Sequence, residues 1–73
     1  MNEERFSPYS KRDLAMMYFP NNQNEQSAVT NLRRMMHRIP ELMDELRKAY
    51  YNPRGRSFTS RQVAILFHYL GQP

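Results

Sequence analysis

No cysteine and no tryptophan occur in these 73 residues, and glycine occurs only twice. Without a thiol there is neither a disulfide staple nor a thiolate metal ligand, so stability has to come from packed side chains or from a second copy of the chain. Long apolar runs are missing too. The longest, residues 14–19 and 63–67, stop far short of the roughly 20 residues that a membrane helix needs. The opening MNEERF is acidic with no apolar stretch behind it, which is not the pattern of an export signal. A soluble, cytoplasmic protein with no membrane association is expected. A last absence is the most telling: from Gln26 to Pro40 there is no Asp or Glu, although Arg33, Arg34 and Arg38 all fall there.

Absences also weigh against catalysis. His37 and His68 lie on different predicted helices, and neither has a carboxylate at the H-E-x-x-H spacing of a zinc site. Glu41, Asp44 and Glu45 sit where acidic residues favour the start of a helix. The run 52–56, NPRGR, lacks the glycine spacing and the lysine of a phosphate loop. The expectation is a non-enzyme with no metal, cofactor or small-molecule substrate.

What is present is a basic chain with its charge in zones. The formal charge is +4 overall; residues 1–25 carry −1, 26–40 carry +3, 41–45 carry −3 and 46–73 carry +5. At about 100° per residue, Ala28, Val29, Leu32, Met35, Met36 and Ile39 share one side of a helix, with Thr30, Arg33, Arg34, His37 and Arg38 on the other. One side calls for a core and the other for anions.

The remaining periodicity predicts an all-α fold, a compact domain of four helices over about 11–18, 27–38, 41–49 and 60–70. Residues 1–9 read as an extended arm, anchored if at all by Phe6 and Tyr9, and residues 10–73 as one domain. Ser10 and Asp13 resemble a capping box, with Tyr9 and Leu14 as a hydrophobic staple. Pro20 stops the first helix, and the amide-rich 20–26 reads as a solvated loop, with Ser27 or a neighbour capping the second helix. Pro40 halts that helix and suits the first turn of the third, whose buried side is expected to be Leu42, Met43, Leu46, Ala49 and Tyr50. Residues 51–58 read as a turn or a small wing. Thr59 and Gln62 form a T-x-x-Q capping box before the fourth helix, with Phe58 and Val63 as its staple and Gly71 past its end. The expected core is Leu14, Met17, Tyr18, Val29, Leu32, Met36, Leu42, Leu46, Val63, Leu66, Phe67 and Leu70. It is small, because a chain this short buries only about 60% of its unfolded surface.

The string Tyr9, Ser10, Lys11, Leu14, Ala15, Tyr18, Phe19, Pro20, then Ala28, Leu32, Leu42 and Leu46, and finally Phe58, Thr59, Arg61, Gln62, Val63, Leu70, Gly71 and Pro73 resembles a family of short uncharacterised proteins from Bacteroides-type bacteria. That family is a domain of unknown function, so the resemblance implies a bacterial setting and no activity. Less specifically, the first two helices resemble a helix-turn-helix unit, although their seven-residue connection without glycine is longer than the usual turn.

Two functions follow as expectations. The first is a small DNA-associated or regulatory module. With helix 27–38 in a major groove, Ser27, Thr30, Asn31 and Arg34 would meet bases, while Arg33, His37 and Arg38 would meet phosphates. Arg54, Arg56 and Arg61 would add a second backbone contact. Its partner would be nucleic acid, double-stranded DNA first. The second is a protein-interaction or homodimer module, because six methionines give adaptable apolar surface and Met16, Ile65 and Tyr69 look surplus to one core.

Overall fold

A computed structural model describes residues 9–21 and 24–73. Residues 1–8, and with them most of the expected arm including Phe6, lie outside the described residues. In chain order the elements are β1 (Tyr9–Ser10), α1 (Lys11–Tyr18), α2 (Glu25–His37), α3 (Pro40–Lys48), β2 (Ser57–Phe58) and α4 (Ser60–Leu70). The all-α expectation holds, with one addition: β1 and β2 pair antiparallel, Tyr9 opposite Phe58 and Ser10 opposite Ser57. The Lys11 amide extends this ladder to the Arg56 carbonyl at 2.8 Å. Tyr9, a candidate anchor of the arm, is thus held against Phe58. Two-residue strands are too short to show an alternating pattern, so nothing in the sequence marks them.

Local chemistry sets the helix ends. The Ser10 hydroxyl accepts the Asp13 amide at 2.9 Å, and α1 ends at Tyr18, ahead of Pro20. α2 begins two residues before the expected start, because Asn24 is its cap and accepts the Ser27 amide at 2.8 Å. The earlier start brings Glu25 into the first turn, where a carboxylate suits the helix dipole. Ile39 is extended and Pro40 opens α3, as proline dictates for the residue before it and for itself. In α4 both halves of the capping box form: the Thr59 amide donates to Gln62 Oε1 at 3.0 Å, and the Gln62 amide to Thr59 Oγ1 at 3.2 Å. Gly71 follows at φ 81° and ψ 167°, a backbone region essentially reserved for glycine.

The core is built from Leu14 and Ala15 of α1, Ala28, Leu32 and Met36 of α2, Leu42 and Leu46 of α3, Phe58 of β2, and Val63 and Leu66 of α4. Tyr18, Val29, Phe67 and Leu70, expected inside, are half-buried at its edge. Phe58, read as a staple, is fully enclosed. Two expectations are corrected. Met17 is 41% exposed, because Ala15 and Phe19 also pack inward and shift the buried arc of α1 away from it. Tyr50 is 91% exposed, because the chain has left the helix by then: Tyr50 has φ 63°. Its amide donates to the Arg47 carbonyl at 3.0 Å and the Tyr51 amide to that of Leu46 at 2.9 Å. This pair of bonds is the Schellman pattern, with tyrosine where glycine is the usual residue. A non-glycine residue in left-handed geometry costs roughly 1–2 kcal/mol.

Gln62 is the buried polar side chain of the core, and its Nε2 donates to the Ala49 carbonyl at 2.8 Å, tying α4 to the end of α3. At the other end of α4, the Tyr18 hydroxyl donates to the Gly71 carbonyl. Burial pushes the Tyr18 phenol up to about 12.

Phe58→Ala is expected to lower stability by about 3–5 kcal/mol, read as a shift in the urea midpoint; a shift near zero would mean that Phe58 is not a core anchor. Because the folded phenol binds its proton more tightly than the unfolded one, the Tyr18 contribution is complete below pH 10 and is lost as the pH rises toward 12. Tyr18→Phe should accordingly flatten the fall of melting temperature across that window.

Candidate nucleic-acid interface

The residues that gather charge are held in place by a lysine. Lys11, first residue of α1, donates from Nζ to the carbonyls of Asn52 (2.9 Å) and Pro53 (3.1 Å). The same ammonium lies 4.7 Å from the centre of the Tyr51 ring and 5.7 Å from that of Phe58. The two rings stack at 5.8 Å. Cation–π attraction and two charge-assisted hydrogen bonds thus fasten residues 51–53 to α1. Burial, reinforced by the charge of Arg33, holds the Lys11 ammonium below the usual lysine value. Burial raises the Tyr51 phenol, against an opposing pull from Arg33. Arg33 borders the same small hollow as Lys11, Tyr51 and Phe58.

Beyond the clamp the loop folds back on itself. Asn52 Oδ1 accepts the Arg54 amide at 3.0 Å, and the Asn52 carbonyl accepts that of Gly55 at 3.0 Å. A side chain at Gly55 would meet the Asn52 carbonyl at 3.3 Å, so the turn is tight. It turns Arg54 and Arg56 toward α1 and α2. The result is an open groove of about 600 Å³, bordered by Lys11, Arg12, Arg33, Arg54 and Arg56 with Asp13 and Glu25 as its two carboxylates. Glu25 is taken up by Arg12 at 3.3 Å. Among the described residues no carboxylate pairs with Arg33, Arg54 or Arg56; the other ion pair there, Arg47 with Asp44 at 2.8 Å, is internal to α3. The acidic start of α3 therefore does not neutralise the arginines of α2.

The expected contact residues separate into groups. Arg33, Arg54 and Arg56 come together on the groove. Arg34, His37 and Arg38 belong to the α2 segment but do not border it. Ser27 lines a neighbouring hollow with Arg12 and Glu25. Thr30 and Asn31 are half-buried, and the Thr30 hydroxyl donates to the Gln26 carbonyl at 3.0 Å. Arg61 faces a different hollow, with Glu45, Ile65, His68 and Tyr69. Met16, Ile65 and Tyr69 are half-buried and pack against the core, and Tyr69 meets His68 edge-on at 5.0 Å. Lys11 and Arg12 are the groove residues that sequence reasoning misses. They sit in a stretch whose net charge is −1, and their adjacency at a helix start is the one signal available.

The fold and the groove define a small all-α domain with a cationic cleft between its first two helices and its 52–56 loop. The chain belongs to the family described as Domain of unknown function (DUF4248), matched over residues 5–73, in keeping with the resemblance to an uncharacterised family. No curated protein and no solved structure matches it. Among the described residues no helix is long and apolar enough to cross a membrane.

Lys11→Ala should release the loop while leaving the helices folded. Amide exchange at Arg54 and Gly55 is expected to quicken at least tenfold, with the exchange in α3 unchanged; unaltered loop protection would show that the clamp does not hold it.

Proposed function

We propose that this chain is a small, non-enzymatic, DNA-associated module of the bacterial cytoplasm that grips the sugar–phosphate backbone in the Lys11–Arg33–Arg56 groove. The observation that carries this reading is the convergence of Arg33 from α2 with Arg54 and Arg56 from the loop on one groove, with no carboxylate of the described residues paired to any of them. Solvated arginines are ordinary; three brought from a helix and a distant loop around one concave surface are the footprint of polyanion binding.

The polar residues at the start of α2 favour a backbone grip over reading of base edges. Thr30 and Asn31 are half-buried, and the Thr30 hydroxyl is engaged with its own helix. A grip of this kind serves duplex and single strand alike. A protein-interaction role finds less support, since Met16, Ile65 and Tyr69 already pack against the core.

Wild type should bind random-sequence DNA with an affinity that falls steeply between about 50 and 200 mM salt. Arg33→Ala with Arg54→Ala is expected to reduce the slope of log affinity against log salt by about 2, roughly 1 for each phosphate left without its arginine. Arg61→Ala, on the other hollow, should leave the slope alone. Salt-independent or absent binding by wild type would rule the proposal out.

A further inference from the structure

We infer that Tyr50 is a stacking platform for an unpaired nucleobase, so that the module prefers single-stranded over duplex nucleic acid. The inference rests on the backbone grip proposed above and adds to it the part of the ligand that the groove does not touch.

The observation behind it is an imbalance at one residue. Tyr50 occupies a left-handed position, φ 63°, at the end of α3, where glycine would fit without strain. Its side chain is 91% exposed, and among the described residues its ring stacks on no other ring and its hydroxyl has no hydrogen-bond partner. The fold thus bears the conformational cost of a bulky residue and draws almost no packing from it. The cap needs the left-handed backbone but not a tyrosine, and residues held in such sparsely populated geometry cluster where a molecule meets its ligand.

The surroundings identify that ligand. The exposed neighbours along the chain are the cations Lys48 and Arg54, Arg47 in its pair with Asp44, and Asn52 and Pro53, without the large apolar rim of a protein-binding hot spot. A lone aromatic ring among cations is the arrangement by which proteins hold single strands: charges follow the backbone, and the ring takes a base face. Reach allows it, since Tyr50 and Arg54 are four positions apart and their Cα atoms are at most about 14 Å apart. The clamp from Lys11 to the Asn52 and Pro53 carbonyls fixes the connecting backbone. A duplex keeps its base faces stacked on one another, so the ring acts on unpaired bases alone.

The test is fluorescence anisotropy with an oligothymidylate of about 12 nucleotides and a duplex of equal length, using wild type, Tyr50→Gly, Tyr50→Asn, Tyr50→Phe and the Arg33→Ala/Arg54→Ala pair. Glycine and asparagine both accept the left-handed backbone, so neither variant should melt below wild type. Both should bind the oligothymidylate roughly tenfold more weakly with duplex affinity unchanged, while Tyr50→Phe binds both like wild type. Equal affinity of Tyr50→Gly and wild type for the single strand, or an equal loss on both forms, overturns the inference. If the arginine pair loses binding while Tyr50→Gly keeps it, the groove reading stands and the stacking platform falls; if wild type binds neither form at any salt, both fall.

Discussion

Everything distinctive about this molecule passes through the ammonium of Lys11. Four helices with a small apolar core would fold in many arrangements of their connecting loops. Here a partly buried cation meets two carbonyls and two aromatic faces, and the loop that carries Arg54 and Arg56 has one place to lie. The interaction holds against opposing forces, since desolvation and the nearby Arg33 both disfavour the charge. Two charge-assisted bonds and a stacked ring pair offset that penalty. A surface ion pair in the same place would be worth far less, because exposed pairs are screened and flexible. The clamp therefore does for a loop what the apolar core does for the helices.

The core has little to spare. Its members are Leu, Met, Ala, Val and a single Phe, and each helix brings two or three of them. Gln62 stiffens this arrangement by serving two roles at once, capping its own helix and holding the Ala49 carbonyl. A buried amide with both ends satisfied specifies geometry more sharply than an apolar side chain of the same size. That sharpness matters at the α3–α4 junction, because the 51–58 segment between them must reach back across the molecule to pair with β1.

The helices are legible in the sequence because helix signals are local. Ser10, Pro20, Pro40 and Thr59 each announce a boundary within a few residues, and each boundary falls where its chemistry puts it. The start of α2 is harder to place, because Asn24 sits in a run of amides where several residues could cap. The left-handed turn at Tyr50 is hidden for a related reason: a tyrosine four residues after Leu46 fits the apolar stripe of α3, and nothing short of the backbone shows that the stripe has ended. Of the site, Arg33, Arg54 and Arg56 are visible as charge, but their convergence is not. That depends on Lys11 meeting Asn52 across 41 residues, and no local pattern encodes a contact at that separation. Arg61 shows the converse, a cation grouped with the others by sequence and set apart from them by the packing of α4 on α3.

The two-residue sheet has a consequence for how the molecule comes into being. Residues 9–10 pair with 57–58, so the cleft is closed by strands from distant parts of the chain. Contacts of such long sequence separation are assembled late, after the entropy of closing the intervening segment has been overcome. During synthesis on a ribosome α1 and α2 emerge together and can pack at once, but Phe58 must leave the exit tunnel before the cationic cleft exists. An unfinished chain consequently carries the arginines of α2 without the cleft that gathers them.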